Sequence, residues 1–199
     1  RENQIIDTLE HSRIPPSLTI TRYLHDYSGA RAITLVGPMY QGKSNFDTPL
    51  IFVDGGTAFR NQDQGLSVGD GDSYSGGLDE QLNPDKDYSD LAYVLSSLPA
   101  HFHKIELLGF LGGRRDHELA NLGEIHHFLK HRHSPTRVLL DQAVAGFSAG
   151  DWQLEIHEVF SLMCVESTKL TLEGECEYPL NTLTQIEPLC SHGLSNIGR

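Results

Sequence analysis

Leu66-Ser67-Val68-Gly69-Asp70-Gly71-Asp72-Ser73 is a short apolar run that ends in two carboxylates among glycines. Two carboxylates about 4 Å apart repel each other by about 4 kcal/mol at an effective dielectric constant near 20. The pair therefore favours a bound cation, and Mg²⁺ prefers oxygen ligands of this kind. Asp and Gly are also ordinary turn residues, so a solvated acidic turn is the alternative interpretation.

Two further acidic segments occur in comparable positions along the chain. Leu50-Ile51-Phe52-Val53 is apolar and runs into Asp54-Gly55-Gly56, which predicts a strand with a carboxylate at its C-terminal end. Asp85-Lys86-Asp87-Tyr88-Ser89-Asp90 precedes a helical pattern, where capping accounts for one or two of its acids but not for all three. Because open α/β sheets bind ligands at the C-terminal ends of their strands, these acids indicate one site.

One segment matches the phosphate-binding P-loop pattern GxxxxGK[ST]. Gly37-Pro38-Met39-Tyr40-Gln41-Gly42-Lys43-Ser44 follows a predicted strand over Ala32–Val36, as a P-loop should. A P-loop must open a helix, yet only Asn45 to Thr48 precede Pro49 and the next apolar run. The pattern therefore favours a Gly/Pro-rich connection, with a P-loop NTPase as an alternative.

A second glycine-rich segment has the features of an anion site. The predicted strand Lys104–Leu108 leads into Gly109 to His117, which holds two arginines and precedes an amphipathic helix. Backbone amides at a helix N-terminus and paired arginines both suit phosphate groups. Near the end of that helix, His127 and His131 stand four residues apart, where a solvated basic helix end is favoured over a metal pair.

The secondary-structure pattern of the sequence changes after about Ser134. Helical signals stop, and short alternating runs predict an antiparallel β-domain over residues 135–199. The predicted runs are Arg137–Leu140, Ala143–Phe147, Trp152–Ile156, Val159–Val165, Lys169–Leu172 and Glu175–Leu180. Before this point we predict an α/β domain over residues 1–134, with a short helix over Asn3–His11 and a strand over Leu18–Leu24.

Composition restricts the class of protein. The formal net charge of −12 argues against a nucleic-acid partner, and no apolar run reaches membrane-spanning length. The chain of 199 residues begins without an apolar leader. Its three cysteines lack CxxC spacing, which favours reduced thiols and predicts a cytoplasmic protein.

Taken in order, the acidic and glycine-rich segments resemble the thiamin pyrophosphokinase family. The family has an acidic DGG strand end, a GDxDS loop, a DKDxTD segment and a GGRxDH turn followed by a helix with LAN, here Leu119-Ala120-Asn121. Tyr178-Pro179-Leu180 and Gly193-Leu194-Ser195-Asn196 are similar to its YPL and GISN segments. The resemblance covers about Ala32 to Asn196, leaves residues 1–31 as an unplaced extension, and implies a shortened C-terminus.

The resemblance implies an α/β N-terminal domain with a mostly parallel sheet, followed by a small antiparallel β-sandwich domain. It also implies transfer of pyrophosphate from ATP to the hydroxyl of thiamin, which gives thiamin diphosphate and AMP. Mg²⁺ is the implied cofactor and a homodimer the implied assembly. A diphosphokinase for another alcohol, such as a pterin, keeps the acidic motifs, and a non-catalytic ligand-binding or structural protein is a further alternative.

The family's site residues carry over to matching positions of this chain. Mg²⁺ is implied to bind Asp70, Asp72 and Asp87, with Asp54 and Asp90 in support and Asp87 or Asp90 as candidate general bases. ATP phosphates are implied to contact Lys86, Arg114 and the amides of Gly112 and Gly113, with Asp116 and His117 beside them; thiamin is implied to contact Ser195 and Asn196.

Overall fold

The computed structural model describes residues 14–42, 46–61, 64–74 and 76–198. They divide into two compact units, with the boundary between Gly150 and Asp151. The helix predicted over Asn3–His11 and the P-loop residues Lys43 and Ser44 lie outside the described residues.

The first unit is built on a seven-stranded sheet. In chain order its strands are β1 (Ala32–Val36), β2 (Leu50–Val53), β3 (Leu66–Gly69), β4 (Glu80–Gln81), β5 (Lys104–Leu108), β6 (Arg137–Leu140) and β7 (Val144–Phe147). Their order across the sheet is β4-β3-β2-β1-β5-β6-β7, and every pairing is parallel except that of β6 with β7. Strand order reverses between β1 and β5, where sheets of this kind bind ligands at the C-terminal edge.

Three described helices form the core of this unit together with the strands. They are α1 (Leu18–Asp26), α2 (Asp90–Ser97) and α3 (Arg115–Lys130). Their buried side chains pack with alternate strand residues such as Leu35 and Leu107 in one large cluster. Val36, Leu50 and Phe52 belong to a smaller cluster with Tyr40 and Phe46. Because successive strand residues point to opposite faces, the helices of the large cluster share one face of the sheet.

The helix α1 corrects the prediction of a strand over Leu18–Leu24. Ser17 caps it by accepting hydrogen bonds from the backbone of Thr19 and Ile20. Ile20 and Leu24, one helical turn apart, lie on the same face of the helix and are almost fully buried in the core. Tertiary burial here overrides the β-branched composition, and part of the presumed extension is integral to the first unit.

The predicted domain boundary at Ser134 is also wrong in the structure. β6 pairs in parallel with β5, and β7 returns beside β6 as an antiparallel edge strand. Both strands therefore belong to the first sheet, and the first unit extends to Gly150. A hairpin on a parallel sheet has the same alternating pattern as an antiparallel domain, so the pattern could not separate the two.

The second unit contains small antiparallel ladders. β9 (Thr168–Leu172) pairs with β10 (Leu180–Ile186), and β8 (Val159–Phe160) pairs with β11 (Asn196–Ile197). A 3-10 turn over Ser191–Gly193 precedes β11. The run Trp152–Ile156 is not a strand, and the strand predicted over Glu175–Leu180 begins only at Leu180.

Two features of the whole chain bear on its class. Cys164, Cys176 and Cys190 are free thiols, as predicted. Among the described residues, no helix is both long enough and apolar enough to cross a membrane.

Candidate active site

Two neighbouring strands deliver the acidic residues to one edge of the sheet. Asp54 directly follows β2 and begins a 3-10 helix over Asp54–Phe59, while Asp70 directly follows β3 and Asp72 lies two residues further on. β2 and β3 pair in parallel, with Val53 opposite Val68. Their C-terminal ends therefore lie side by side, as the sequence predicted for the acidic strand ends.

Asp54, Asp70 and Asp72 converge in space. Each offers one carboxylate oxygen, and these three oxygens lie within 4.8 Å of one another. Asp54 and Asp70 are half-buried and Asp72 is exposed. Asp54 adopts a left-handed backbone with φ of 51°, and a Cβ at Gly69 would lie 3.0 Å from its Cα. A close, partly buried set of three carboxylates suits one hard divalent cation.

The GDGDS loop is held by its own polar groups. The amide of Asp72 donates to Oδ1 of Asp70 at 3.2 Å, and the hydroxyl of Ser73 donates to Oδ1 of Asp72 at 2.7 Å. The side chain of Gln81 on β4 donates to the carbonyl of Asp70. Gly71 turns the chain with φ of 83°, which favours glycine. These hydrogen bonds therefore hold the carboxylates of Asp70 and Asp72 in a defined arrangement.

Lys86 forms an ion pair with Asp70, one of these three carboxylates. Its ammonium lies 2.7 Å from Oδ2 of Asp70 and 2.9 Å from Oδ1 of Asp90, and only 7% of its side chain is exposed. The hydrogen bond from Lys86 holds the pKa of Asp70 below its usual value. Burial opposes the charge of Lys86, but its contacts with the carboxylates of Asp70 and Asp90 keep its pKa above the usual value.

Asp54 and Asp90 each contain a buried oxygen that lacks a hydrogen-bond partner among the described residues. Oδ1 of Asp54 and Oδ1 of Asp90 are buried and accept no hydrogen bond within the described part of the chain. The 2.9 Å approach of Lys86 to Asp90 is therefore an ion pair without hydrogen-bond geometry. Burial raises the pKa of both carboxyl groups. Lys86 already lies beside the oxygen of Asp90, so the oxygen of Asp54 is the one that a bound cation would satisfy.

The close group differs from the metal ligands that the resemblance implied. It contains Asp54, which we expected only in support, beside the expected Asp70 and Asp72. Asp87 is exposed in the turn before α2 and is not in this group of described residues. Ser89 caps α2 by accepting from the amide of Ala92 at 3.1 Å. A metal contact of Asp87 stays a prediction.

The glycine-rich turn connects β5 to α3. Gly112 and Gly113 have φ of 90° and 79°, and Arg114 is the N-cap residue of α3. Arg114 makes two hydrogen bonds to the carboxylate of Asp116, and the side chains of both residues are mostly exposed. His117 in the first turn of α3 is exposed as well. The arrangement leaves a guanidinium at the surface that can exchange its carboxylate for a phosphate.

One predicted phosphate donor is already engaged in this structure. The amide of Gly112 donates to Oε1 of Glu118, whose other oxygen lies 2.8 Å from the guanidinium of Arg115. These hydrogen bonds lower the pKa of Glu118, with that from Arg115 the larger cause. A phosphate at Gly112 would have to displace this carboxylate.

Sequence reasoning missed Asp141, which lies directly after β6. Its carboxylate accepts hydrogen bonds from the amides of Gly109, Phe110 and Leu111, the last two at 3.0 and 2.6 Å. Asp141 has φ of 47°. Its partners are 30 to 32 residues away in sequence, and the pairing of β5 with β6 brings them together. The apolar run followed by an acid, as at Asp54 and Asp70, was the available signal.

Ser195 and Asn196 lie in the second unit and are described there alone. The amide of Ser195 donates to the hydroxyl of Ser161 at 3.1 Å. Asn196 is buried, donates to the carbonyl of Tyr178 at 2.9 Å, and accepts from the amide of Tyr178 at 3.0 Å. Asn196 thus braces the Tyr178 segment, and contact of either residue with thiamin stays a prediction.

Comparisons with known proteins give matches only at the level of structure. No family model matches the chain, and no curated protein matches it. The chain is similar to the crystal structure of thiamine pyrophosphokinase from Bacillus subtilis, with a TM-score of 0.62 and 21% sequence identity over 83% of this chain and 89% of that one.

A second similar structure is a protein from Lactobacillus plantarum, with a TM-score of 0.59 and 18% identity over 84% of this chain and 89% of that one. Identities this low bear on the fold alone. The parallel sheet, the small antiparallel ladders and these two matches agree with the fold class that the resemblance implied. The chain has the fold of thiamine pyrophosphokinase.

Proposed function

We propose that this protein transfers a pyrophosphoryl group from ATP to the hydroxyl of thiamin, giving thiamin diphosphate and AMP. The observation that carries the proposal is the convergence of Asp54, Asp70 and Asp72 at the C-terminal edge of the sheet. The similarity in fold to a thiamine pyrophosphokinase supports it. Transfer between phosphates and an alcohol needs positioning and charge stabilisation more than covalent help from the protein.

The acidic group fits Mg²⁺. Asp54, Asp70 and Asp72 would hold the ion, and the unsatisfied buried oxygen of Asp54 supports this assignment. When bound, Mg²⁺ would neutralise charge on the phosphates. Lys86 orients Asp70 and Asp90 through its two ion pairs, so it supports the acidic group as well as offering charge.

The phosphates themselves would bind at the glycine-rich turn. Arg114 is exposed and already makes a two-point contact with the Asp116 carboxylate, a geometry that a phosphate can share. Gly113 in the same turn contributes its amide to the proposed site, and His117 lies one helical turn further on. In this proposal Asp116 holds the guanidinium of Arg114 in place when no nucleotide is bound.

Thiamin is assigned to the second unit, with Ser195 and Asn196 as the proposed contacts, and the working protein is a homodimer. The apolar surface of the second unit supports an assembly. Val159, Leu183 and Leu189 are 66%, 68% and 66% exposed, whereas the only apolar side chains buried in its described part are those of Cys164 and Ile186. A unit with so little core gains stability when its apolar faces are covered.

Release of AMP from ATP and Mg²⁺, with and without thiamin, tests the proposal. We expect thiamin-dependent AMP from the wild type and a loss of at least a hundredfold in Asp72→Asn, because a carboxylate of the metal group is gone. Asp26→Asn removes an exposed acid at the end of α1 and is the matched control. ADP in place of AMP would contradict the proposal and favour a P-loop NTPase. Bound ATP without AMP would point to another acceptor alcohol, such as a pterin.

A further inference from the structure

The carboxylate of Asp141 connects the end of β6 to the turn after β5. It follows β6, while the three amides that it accepts belong to the turn after β5. A carboxylate that accepts several backbone amides forms strong, charge-assisted hydrogen bonds with fixed directions. Asp141 and Gln142 both adopt left-handed backbone conformations, with φ of 47° and 54°. The chain after β6 is therefore shaped so that this carboxylate faces the neighbouring turn.

The turn that Asp141 holds is also tied to β1 and to α3. The carbonyl of Gly109 accepts from the amide of Met39 at 3.0 Å, and the carbonyl of Phe110 accepts from the side chain of Asn121 at 2.9 Å. A Cβ at Gly109 would lie 2.2 Å from the amide nitrogen of Tyr40, so the two turns pack backbone against backbone. Asp141 supplies three of the bonds that fix this packing.

The position of the turn gives these bonds a consequence for binding. Leu111 is the last residue that Asp141 holds, and Gly112, Gly113 and Arg114 follow it immediately. The amides of Gly109, Phe110 and Leu111 are occupied by Asp141 and so are not donors for a phosphate. Within this turn, donors to the proposed nucleotide site are thus confined to the segment beyond Leu111, and the hydrogen bond at Leu111 helps to set the direction in which that segment leaves the sheet.

We propose that Asp141 is a positioning residue, which holds the turn after β5 so that Gly113 and Arg114 face the phosphates of a nucleoside triphosphate. The inference rests on the proposed function, because it requires a nucleotide at this turn. Asp141 itself does not touch the nucleotide. A negative charge near an anion site would weaken the binding of a phosphate. Three backbone amides that donate to the Asp141 carboxylate offset this charge, so these hydrogen bonds are essential to the role.

Asp141→Asn tests the role because it keeps the size of the side chain but replaces one acceptor oxygen by a donor group that faces backbone amides. We expect the KM for ATP to rise on the order of tenfold, with the KM for thiamin and the affinity for Mn²⁺ unchanged. Hydrogen exchange should show loss of protection at residues 109–111. Gln142→Asn, which keeps a residue suited to the left-handed conformation, is the control and should behave as the wild type.

Several outcomes would overturn the inference. An Asp141→Asn protein that melts at a lower temperature but binds ATP with wild-type affinity has lost only stability, so Asp141 would be structural. If that variant does not fold, Asp141→Glu keeps the charge and displaces it by one methylene, and an unchanged KM for ATP would equally contradict the proposal. Wild-type protein that binds no ATP would overturn both the proposed function and this inference, whereas wild-type AMP release with unaffected variants would overturn this inference alone.

Discussion

At the scale of single residues, the carboxylates of Asp54, Asp70 and Asp72 repel one another. Asp54 is held beside Asp72 and Asp70, and burial together with these neighbours raises its pKa. Lys86 offsets part of the repulsion but contacts Asp70 and Asp90, not Asp54. The buried oxygen of Asp54 that lacks a hydrogen-bond partner destabilises the folded protein, and a role in binding explains why such a residue is present.

Asp54→Asn should therefore raise the thermal stability of the metal-free protein at about pH 7.5. A carboxyl group whose pKa is raised on folding binds more protons in the folded state, so its contribution to stability is present below its unfolded pKa and is lost as pH rises through its folded pKa. The gain from Asn should vanish below about pH 3, where Asp is protonated in both states. Melting curves in EDTA across this range check the prediction.

The same variant separates binding from stability. Added Mg²⁺ or Mn²⁺ should raise the melting temperature of the wild type and leave that of Asp54→Asn nearly unchanged, because one of the three converging oxygens is replaced. Asparagine tolerates the left-handed backbone of Asp54, so strain does not confuse the comparison. A variant that is less stable than the wild type in EDTA at neutral pH would contradict this account of Asp54.

At the scale of elements, Arg132 joins the ends of α2 and α3. Its guanidinium donates to the carbonyls of Leu98, Pro99, Ala100 and Phe102, and it lies 4.9 Å from the centre of the Phe128 ring. Burial lowers the pKa of Arg132 to about 10. The Arg132 side chain thus holds the segment that connects α2 to β5 against the C-terminal end of α3.

Arg132→Leu should lower the free energy of unfolding by about 3 kcal/mol, since it leaves several carbonyl oxygens without a donor. Urea denaturation measures this loss. Arg22→Ala, at an exposed position of α1, is the control and should change the free energy by about 0.5 kcal/mol or less. A loss in Arg132→Leu no larger than that of the control would show that the carbonyls find water instead.

The elements also show what sequence patterns can and cannot predict. Asp54 and Asp70 were found because each directly follows an apolar run, and that local signal corresponds to the end of a parallel strand. The strand prediction over Leu18–Leu24 failed because the burial of Ile20 and Leu24 depends on partners far along the chain. Asp141 was missed for the same reason, since its role appears only once β5 and β6 are paired.

At the scale of the whole molecule, the two units differ in how many apolar side chains they bury in their described parts. The first unit has a continuous core in which strands and three helices take part. The second unit is held mainly by ladder hydrogen bonds and by local braces such as Asn196 on Tyr178. Its exposed apolar side chains are the basis for the proposed homodimer.

Leu183→Glu places a charge on the exposed apolar surface of β10 and should shift the protein from dimer to monomer. Light scattering after size exclusion measures the mass. Thiamin-dependent activity should fall with the dimer, while ATP binding by the first unit should persist, because the acidic group and the glycine-rich turn lie within that unit. Thr182→Glu adds the same charge at the neighbouring exposed position without removing an apolar side chain. A monomeric but active wild type would contradict the prediction.

The central claim is that the acidic edge of this sheet moves a pyrophosphoryl group to thiamin. Phosphorus NMR of a mixture of the protein, ATP, Mg²⁺ and thiamin tests it most directly, because it identifies which phosphorus of ATP is transferred. The account predicts that ATP disappears as AMP and thiamin diphosphate appear together in equal amounts. Formation of ADP and inorganic phosphate, or no thiamin diphosphate in the presence of bound ATP, would contradict it.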